Sequence, residues 1–283
     1  MKMWGTKIMY AAIIVALIAA QMVTSEMAFA GGRTLVLTGS TTVLPIAQLC
    51  AEKFMDQHPD VNISVRGGGS GVGIAALIDG TCDIAMASRP MKTKELKSAR
   101  GKGINPLATV IAKDGIAIIV HPSNPLSEIT LAQLKDIYTG KISNWKDVGG
   151  KPGKIVVISR DVASGTFEVF KKIVLKGAKT RADALMLASN KAVATTVEKT
   201  PGAIGYVGLG YISSKVKALA VDGVEPTKET VVSGKYKLAR PLHLYTDGKP
   251  TGLAKEFIDF VLSPEGQEIV DKIGFVPVKP TSK

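Results

Sequence analysis

The chain runs to 283 residues, with 36 Lys and Arg against 24 Asp and Glu, a formal charge of +12 at pH 7, and only 5% aromatic residues. That length supports one large domain or two of ordinary size. Its lysines are spread through amphipathic segments and not gathered with aromatics in a stripe, which argues against a nucleic-acid partner, whereas a basic surface does favour capture of small anions.

In chain order, Lys2 and Lys7 precede an apolar run over 8–20 that is short for a membrane span, and Ala28-Phe29-Ala30 supplies a small-x-small cleavage pattern. Residues 1–30 therefore read as a cleavable signal peptide. Gln21, Thr24, Ser25 and Glu26 follow the apolar run and disfavour a retained anchor, and no cysteine at the cleavage site supports a lipid anchor. Cleavage leaves 253 residues (283 less 30) and removes two lysines and one glutamate, so the charge falls only to +11. An exported protein is expected, periplasmic in a two-membrane organism. Export permits a disulfide between Cys50 and Cys82 without implying one.

Apolar periodicity then predicts a strand at 34–38, a helix at 43–57, a strand at 61–65, a helix at 70–79 and a strand at 83–87, which is a βαβαβ unit. A charged helix at 92–100 follows, then two apolar runs at 107–112 and 115–120. His121-Pro122-Ser123-Asn124-Pro125 marks a turn and a candidate crossing between domains. A second α/β unit begins with a helix at 131–138, a Gly/Pro-rich turn at 149–153, a strand at 154–159 and a helix at 164–175. Further strands are predicted at 203–207, 216–220 and 241–245, and closing helices at 253–262 and 265–273. Alternating elements call for a mostly parallel sheet covered on both faces, with ligands at the carboxyl ends of its strands. If the closing helices return to the first unit, 31–119 with 239–283 forms one discontinuous domain and 120–238 the other, with a cleft between them.

Three predicted strands run into small, hydroxyl-bearing turns that open helices: Gly39-Ser40-Thr41-Thr42, Gly67-Gly68-Gly69-Ser70-Gly71, and Arg160-Asp161-Val162-Ala163-Ser164-Gly165-Thr166. First-turn N–H groups lack intrahelical partners and carry the positive end of the helix dipole, so each turn is a candidate anion site. Any one of these Ser or Thr residues is equally an ordinary N-cap. Three together, one with an arginine, suggest helix starts converging on one tetrahedral oxyanion.

Other chemistries are weaker. The three histidines, His58, His121 and His243, stand in no nucleophile motif. Gly67 to Ser70 lacks the lysine of a nucleotide-binding P-loop. No His/Cys cluster has metal-ligand spacing, so neither metal nor cofactor is expected. A phosphatase with a Ser or Thr nucleophile stays open. Trp145, Tyr138 and Tyr206 read mainly as packing residues.

The motifs taken in order, Leu37 to Pro45, Gly67 to Gly71, Ala87-Ser88-Arg89-Pro90, Tyr138 to Trp145, Arg160 to Thr166, Gly202 to Val207 and Arg240-Pro241-Leu242, resemble the phosphate-binding proteins of Pst ABC transporters over nearly all of the chain beyond residue 30. The resemblance implies a two-domain periplasmic binding protein fold of type II, each domain a mostly parallel sheet flanked by helices. It implies a monomer without enzymatic activity that captures inorganic phosphate and delivers it to ABC-transporter permease subunits. It assigns phosphate binding to Thr41, Thr42, Ser70, Arg160, Ser164, Gly165 and Thr166, with Asp161 holding the Arg160 guanidinium. One departure stands out: where strictly phosphate-specific members carry a proton-accepting aspartate, this chain has Arg89. Arginine has no acceptor. Arg89 either turns away or serves as a second cationic ligand, and a broader, sulfate-like oxyanion receptor or a phosphate-sensing protein remains the alternative.

Overall fold

A computed structural model describes residues 32–281; the expected signal peptide, residues 1–30, lies outside them. The first half comprises β1 (Arg33–Gly39), α1 (Leu44–Gln57), β2 (Val61–Gly67), α2 (Ser70–Ile78), β3 (Ile84–Ala87), α3 (Thr93–Gly101) and the long β4 (Pro106–Val120). Then come β5 (Glu128–Ile129), α4 (Leu131–Thr139), β6 (Val156–Arg160), α5 (Gly165–Phe170), β7 (Leu185–Leu187), α6 (Asn190–Lys199), β8 (Ala203–Gly208) and β9 (Lys217–Val221). The chain closes with α7 (Lys228–Val232), β10 (Ala239–Asp247), α8 (Gly252–Val261) and α9 (Pro264–Lys272).

Local chemistry sets these boundaries. Pro45 lies in the first turn of α1, where its missing N–H breaks no helical bond. Thr130 caps α4, its hydroxyl accepting Gln133 N–H while the Gln133 side chain accepts Thr130 N–H, and Gly140 in the left-handed region stops that helix.

The strands form one ten-stranded sheet in the order β2-β1-β3-β10-β4-β8-β6-β7, with β9 and β5 branching from β4. The parallel pairs expected from alternating elements are β1 with β3 and β6 with β7 and β8. The two long strands run between them antiparallel: β10 to β3 and β4, and β4 to β8. The sheet is therefore parallel in its flanks and antiparallel at its centre.

Two large apolar cores lie along this sheet. One gathers Leu35, Leu37, Ile46, Phe54, Ile84, Met86, Leu242 and Phe257; the other gathers Leu134, Tyr138, Ile158, Phe170, Val193, Ile204 and Tyr206. Full burial of each such side chain contributes about 1.5–3 kcal/mol. β4 serves both, giving Ile111 and Ala112 to the first and Ile116 to Val120 to the second. The apolar runs read as separate segments are thus one strand, carried through Lys113-Asp114-Gly115. Cys50 and Cys82 are both free and buried, and burial raises their thiols to about 12 and about 11, so both are protonated at neutral pH.

Candidate functional site

Each of the three turns is pinned by its own backbone before it meets the others. Ser40 N–H donates to Met86 O at 2.8 Å, fixing the end of β1 beside the end of β3, and Ser40 Oγ accepts Thr42 N–H at 3.2 Å. Gly69 N–H donates to Gly39 O, which sets the second turn on the first. In the third, Asp161 Oδ1 accepts Ala163 N–H and Ser164 Oγ accepts Phe167 N–H, capping α5. Gly71 N–H then reaches Ala163 O at 2.9 Å and joins the second turn to the third.

The contact between those two turns is close enough to dictate residue type. A Cβ on Gly165 would stand 2.3 Å from Ser70 Oγ and 2.6 Å from Ser88 Oγ. Only glycine lets the start of α5 approach the start of α2 this closely. Thr41, Thr42, Ser70, Arg160, Ser164, Gly165 and Thr166 are all brought together and buried. Thr42 and Thr166, 124 positions apart, place their hydroxyl oxygens 3.1 Å apart.

Arg160, 1% exposed, ends β6. Its Nε donates to Leu187 O at 3.0 Å, and Nη2 donates to Ala188 O at 2.9 Å and to Thr41 Oγ1 at 3.1 Å. Its Nη1 is buried without a protein partner. Burial lowers its pKa to about 10, against the pull of Tyr206 and Asp161, so the guanidinium remains charged at neutral pH. The structure corrects the expected part of Asp161: carbonyl oxygens of β7 and the residue beyond it grip the guanidinium, while Asp161 braces the turn and acts on Arg160 through its charge alone. An Asx turn occupies the carboxylate instead.

Two side chains with no predicted role lie behind these hydroxyls. Arg240, at the start of β10, donates from Nε to Asp114 Oδ2 at 3.1 Å, and its Nη2 shares two hydrogens among Asp114 Oδ2 at 2.9 Å, Thr166 Oγ1 at 2.9 Å and Thr42 Oγ1 at 3.2 Å. Asp114 is completely buried, and its Oδ1 accepts Leu209 N–H. Burial pushes the Asp114 carboxyl up against the opposing pull of Arg240, and burial likewise pulls Arg240 down. Asn190, opening α6, donates from Nδ2 to Thr41 Oγ1 at 3.1 Å and Thr42 Oγ1 at 3.0 Å. Gly208 N–H donates to its Oδ1, which fixes the amide orientation. Arg240 opens the Arg240-Pro241-Leu242 motif, so its position was legible in the sequence. For Asn190 the signal was Ser189 ahead of Val193 and Val197, a capped start to a short amphipathic helix.

Arg89 takes the turned-away alternative. Its Nη1 and Nη2 meet Glu95 Oε2 and Oε1, each at 2.8 Å, in a bidentate pair with α3. Nearby, Lys92 Nζ and Glu168 Oε1 form an ion pair at 2.9 Å between the start of α3 and α5. Among the described residues no group of His, Cys, Asp or Glu is placed to hold a metal ion, and no helix is long and apolar enough to cross a membrane.

Helix starts and a buried cation converging on one point at the strand ends of a two-cored α/β sheet define a solute-binding protein for a small anion. A sequence model for the PBP superfamily domain matches residues 25–265. The phosphate-binding protein PstS of Bacillus subtilis is 38% identical over 247 residues, 87% of this chain and 81% of that one, and PstS of Borreliella burgdorferi is 34% identical over 253 residues, 85% and 88%. A phosphate ABC transporter substrate-binding protein from Clostridium perfringens, solved with bound phosphate, superposes with a TM-score of 0.82 at 39% identity, covering 87% of this chain and all of that one. A phosphate transport receptor from Vibrio cholerae superposes with a TM-score of 0.70 at 33% identity over 86% of this chain. The chain belongs to the PstS family of phosphate-binding proteins, with the two-domain fold of that family.

Proposed function

We propose that this protein captures inorganic phosphate among the three turns, enclosed between two lobes, and delivers it to the permease of an ABC transporter. The observation that carries the reading is Arg160 Nη1, a charged donor buried with no protein acceptor on a guanidinium whose Nη2 donates to the Thr41 hydroxyl. Buried donors of this kind are costly unless a ligand takes them. A tetrahedral anion beside it meets hydroxyls of Thr41, Thr42, Ser70, Ser164 and Thr166 and the first-turn N–H groups of α2 and α5. Charge-assisted hydrogen bonds contribute about 1.5–3 kcal/mol each, so half a dozen more than cover the ~8 kcal/mol of a micromolar site. The excess goes to ordering and desolvation.

On this reading the lobes are 31–119 with 239–283 and 120–238, a partition supported by the change of core membership across Lys113-Asp114-Gly115 in β4 and Ala239-Arg240-Pro241 in β10. Two backbone crossings suit a hinge whose closed form a permease can recognise. The chain acts as a monomeric receptor and not as an enzyme, a reading supported by Asp114, whose two oxygens are engaged by Leu209 N–H and by Arg240. The exported, periplasmic location rests on the signal-like pattern in residues 1–30 and on the extracytoplasmic character of the family.

Calorimetric titration of the anion-stripped protein with phosphate tests the reading. Binding at micromolar or tighter affinity is expected, with Arg160→Met weakening it at least tenfold while circular dichroism stays unchanged. Equal affinity in that variant would remove Arg160 from the site, and no heat in the parent protein would sink the function.

A further inference from the structure

The first turn of the site carries a gap in its helical ladder. Ser40 O accepts Leu44 N–H at 2.9 Å and Val43 O accepts Ala47 N–H at 3.1 Å, as a helix start requires. The rung from residue 45 to Thr41 O cannot form, because residue 45 is proline and has no N–H. Thr41 is buried, and a buried carbonyl left without a donor is costly. The missing donor comes from 170 positions away: Tyr211 OH donates to Thr41 O at 2.5 Å.

Tyr211 ends the short turn Leu209–Tyr211 that follows β8, and that turn is itself held in place. Leu209 N–H donates to Asp114 Oδ1 at 2.9 Å, and a Cβ on Gly210 would stand 2.4 Å from the Phe275 ring. Tyr211 packs against both large cores, and among the described residues no other partly buried apolar side chain is shared between them. Burial raises its phenol to about 12 against the pull of Arg160, so it stays protonated and donating at neutral pH.

We propose that Tyr211 is a positioning residue of the anion site, standing in for the N–H that Pro45 removes, so that the turn at Thr41 is completed from the other lobe and is fully in place only when the lobes meet. This rests on the phosphate-capture and two-lobe reading and adds a residue to it. Thr41 O and Thr42 N–H belong to one planar peptide. Tyr211 fixes its carbonyl end, and Ser40 Oγ accepts its N–H at 3.2 Å. Thr41 Oγ1 accepts from Arg160 Nη2 and Asn190 Nδ2, which also come from 120–238. One residue of the 31–119 lobe thus takes three donors of 120–238, and none of these bonds passes through the anion. A bond present in the closed form and broken on opening slows release, whereas capture by the open form does not use it.

The experiment compares phosphate binding by the mature protein, Tyr211→Phe, Pro45→Ala and the double variant. Calorimetry gives affinity, a chase of bound radiolabelled phosphate gives release, and thermal midpoints give stability. Tyr211→Phe keeps the ring between the two cores and removes only the hydroxyl. Phosphate affinity is expected to fall about five- to twentyfold, the size of one buried hydrogen bond, with release faster by the same factor and association within about twofold of the parent. Pro45→Ala gives residue 45 an N–H and closes the gap within the turn itself. In that background Thr41 O is satisfied without Tyr211, so adding Tyr211→Phe removes only the link between lobes. The double variant should therefore regain the midpoint lost in Tyr211→Phe and still release phosphate as fast. Recovery of both the midpoint and the slow release would mean that the phenol does no more than fill a carbonyl, and overturns the assignment. Unchanged release in Tyr211→Phe, or an affinity loss carried by association alone, overturns it too. Should Tyr211→Phe alone fail to fold, the same difference in release is read between Pro45→Ala and the double variant. No phosphate binding by the parent protein overturns the functional reading itself, and the proposal with it.

Discussion

Arg89 and Arg160 occupy matching places, one just past the end of β3 and the other at the end of β6, and both are buried, at 5% and 1% exposed. Their partners differ in kind. Arg89 meets Glu95 fork to fork, charge against charge, and becomes a clamp between a strand end and α3, although its Nε, like Arg160 Nη1, is buried without a partner. Arg160 is held by two carbonyl oxygens and a hydroxyl, which orient the guanidinium without cancelling its charge and leave Nη1 over. A buried arginine is available to a ligand when dipoles position it and is spent on the fold when a carboxylate does.

The sharpest way to break the comparison is to discharge the clamp. Glu95→Gln leaves Arg89 buried without its counter-charge and is expected to cost about 2 kcal/mol of stability, less than the 3–5 of a fully buried pair because Glu95 keeps some exposure to water. Phosphate affinity should stay within threefold. Denaturant unfolding and calorimetry on the same sample check both halves, and a large affinity loss would place Arg89 in the site. Next in size is the tenfold or greater affinity loss for Arg160→Met, which should leave stability nearly untouched or raised.

Acid should erase the first of these differences. Burial raises the Glu95 carboxyl, but the bonds from Arg89 and from Lys92 N–H outweigh it and leave the pKa lowered. A lowered carboxylate pKa means the contribution is present above the ordinary glutamate range and is lost as pH falls through the folded value. The stability gap between the parent protein and Glu95→Gln should therefore narrow below that range, measured as thermal midpoints from pH 7 down to pH 3. The smallest effect belongs to the Lys92–Glu168 pair, which is partly exposed at 34% and 28%. Lys92→Met should speed phosphate release about two- to fourfold, in keeping with the ~0.2–1 kcal/mol of such pairs. Stopped-flow chase against excess unlabelled anion reads that rate.

How far the sequence carries depends on whether the controlling contacts are local. The βαβαβ start was legible because apolar runs alternate with Gly/Ser/Thr turns, and the site turns were legible because small hydroxyl residues sit where strands hand over to helices. α6 was harder to see, since Thr195 and Thr196 interrupt its short apolar pattern and only Ser189 ahead of Val193 and Val197 marks its start. Lys113-Asp114-Gly115 reads as a break, because a charged pair before glycine suits a turn. It remains strand because Arg240, 126 positions away, neutralises Asp114, and no local pattern announces a partner at that distance. The role of Arg89 was undecidable for a different reason: Glu95 lies only six positions on, yet only the angle between β3 and α3 decides whether the two meet.

The tight seating of Gly165 against Ser70 and Ser88 bears on timing. Contact this close narrows the way to the turns, so on the proposed two-lobe reading ligand exchange runs at the pace of opening and not of diffusion. Observed binding rates will then level off as phosphate concentration rises, at a plateau set by the protein alone. A receptor so built releases its anion with one rate constant, set by its own opening, and that mean dwell is the quantity a docked partner would shorten.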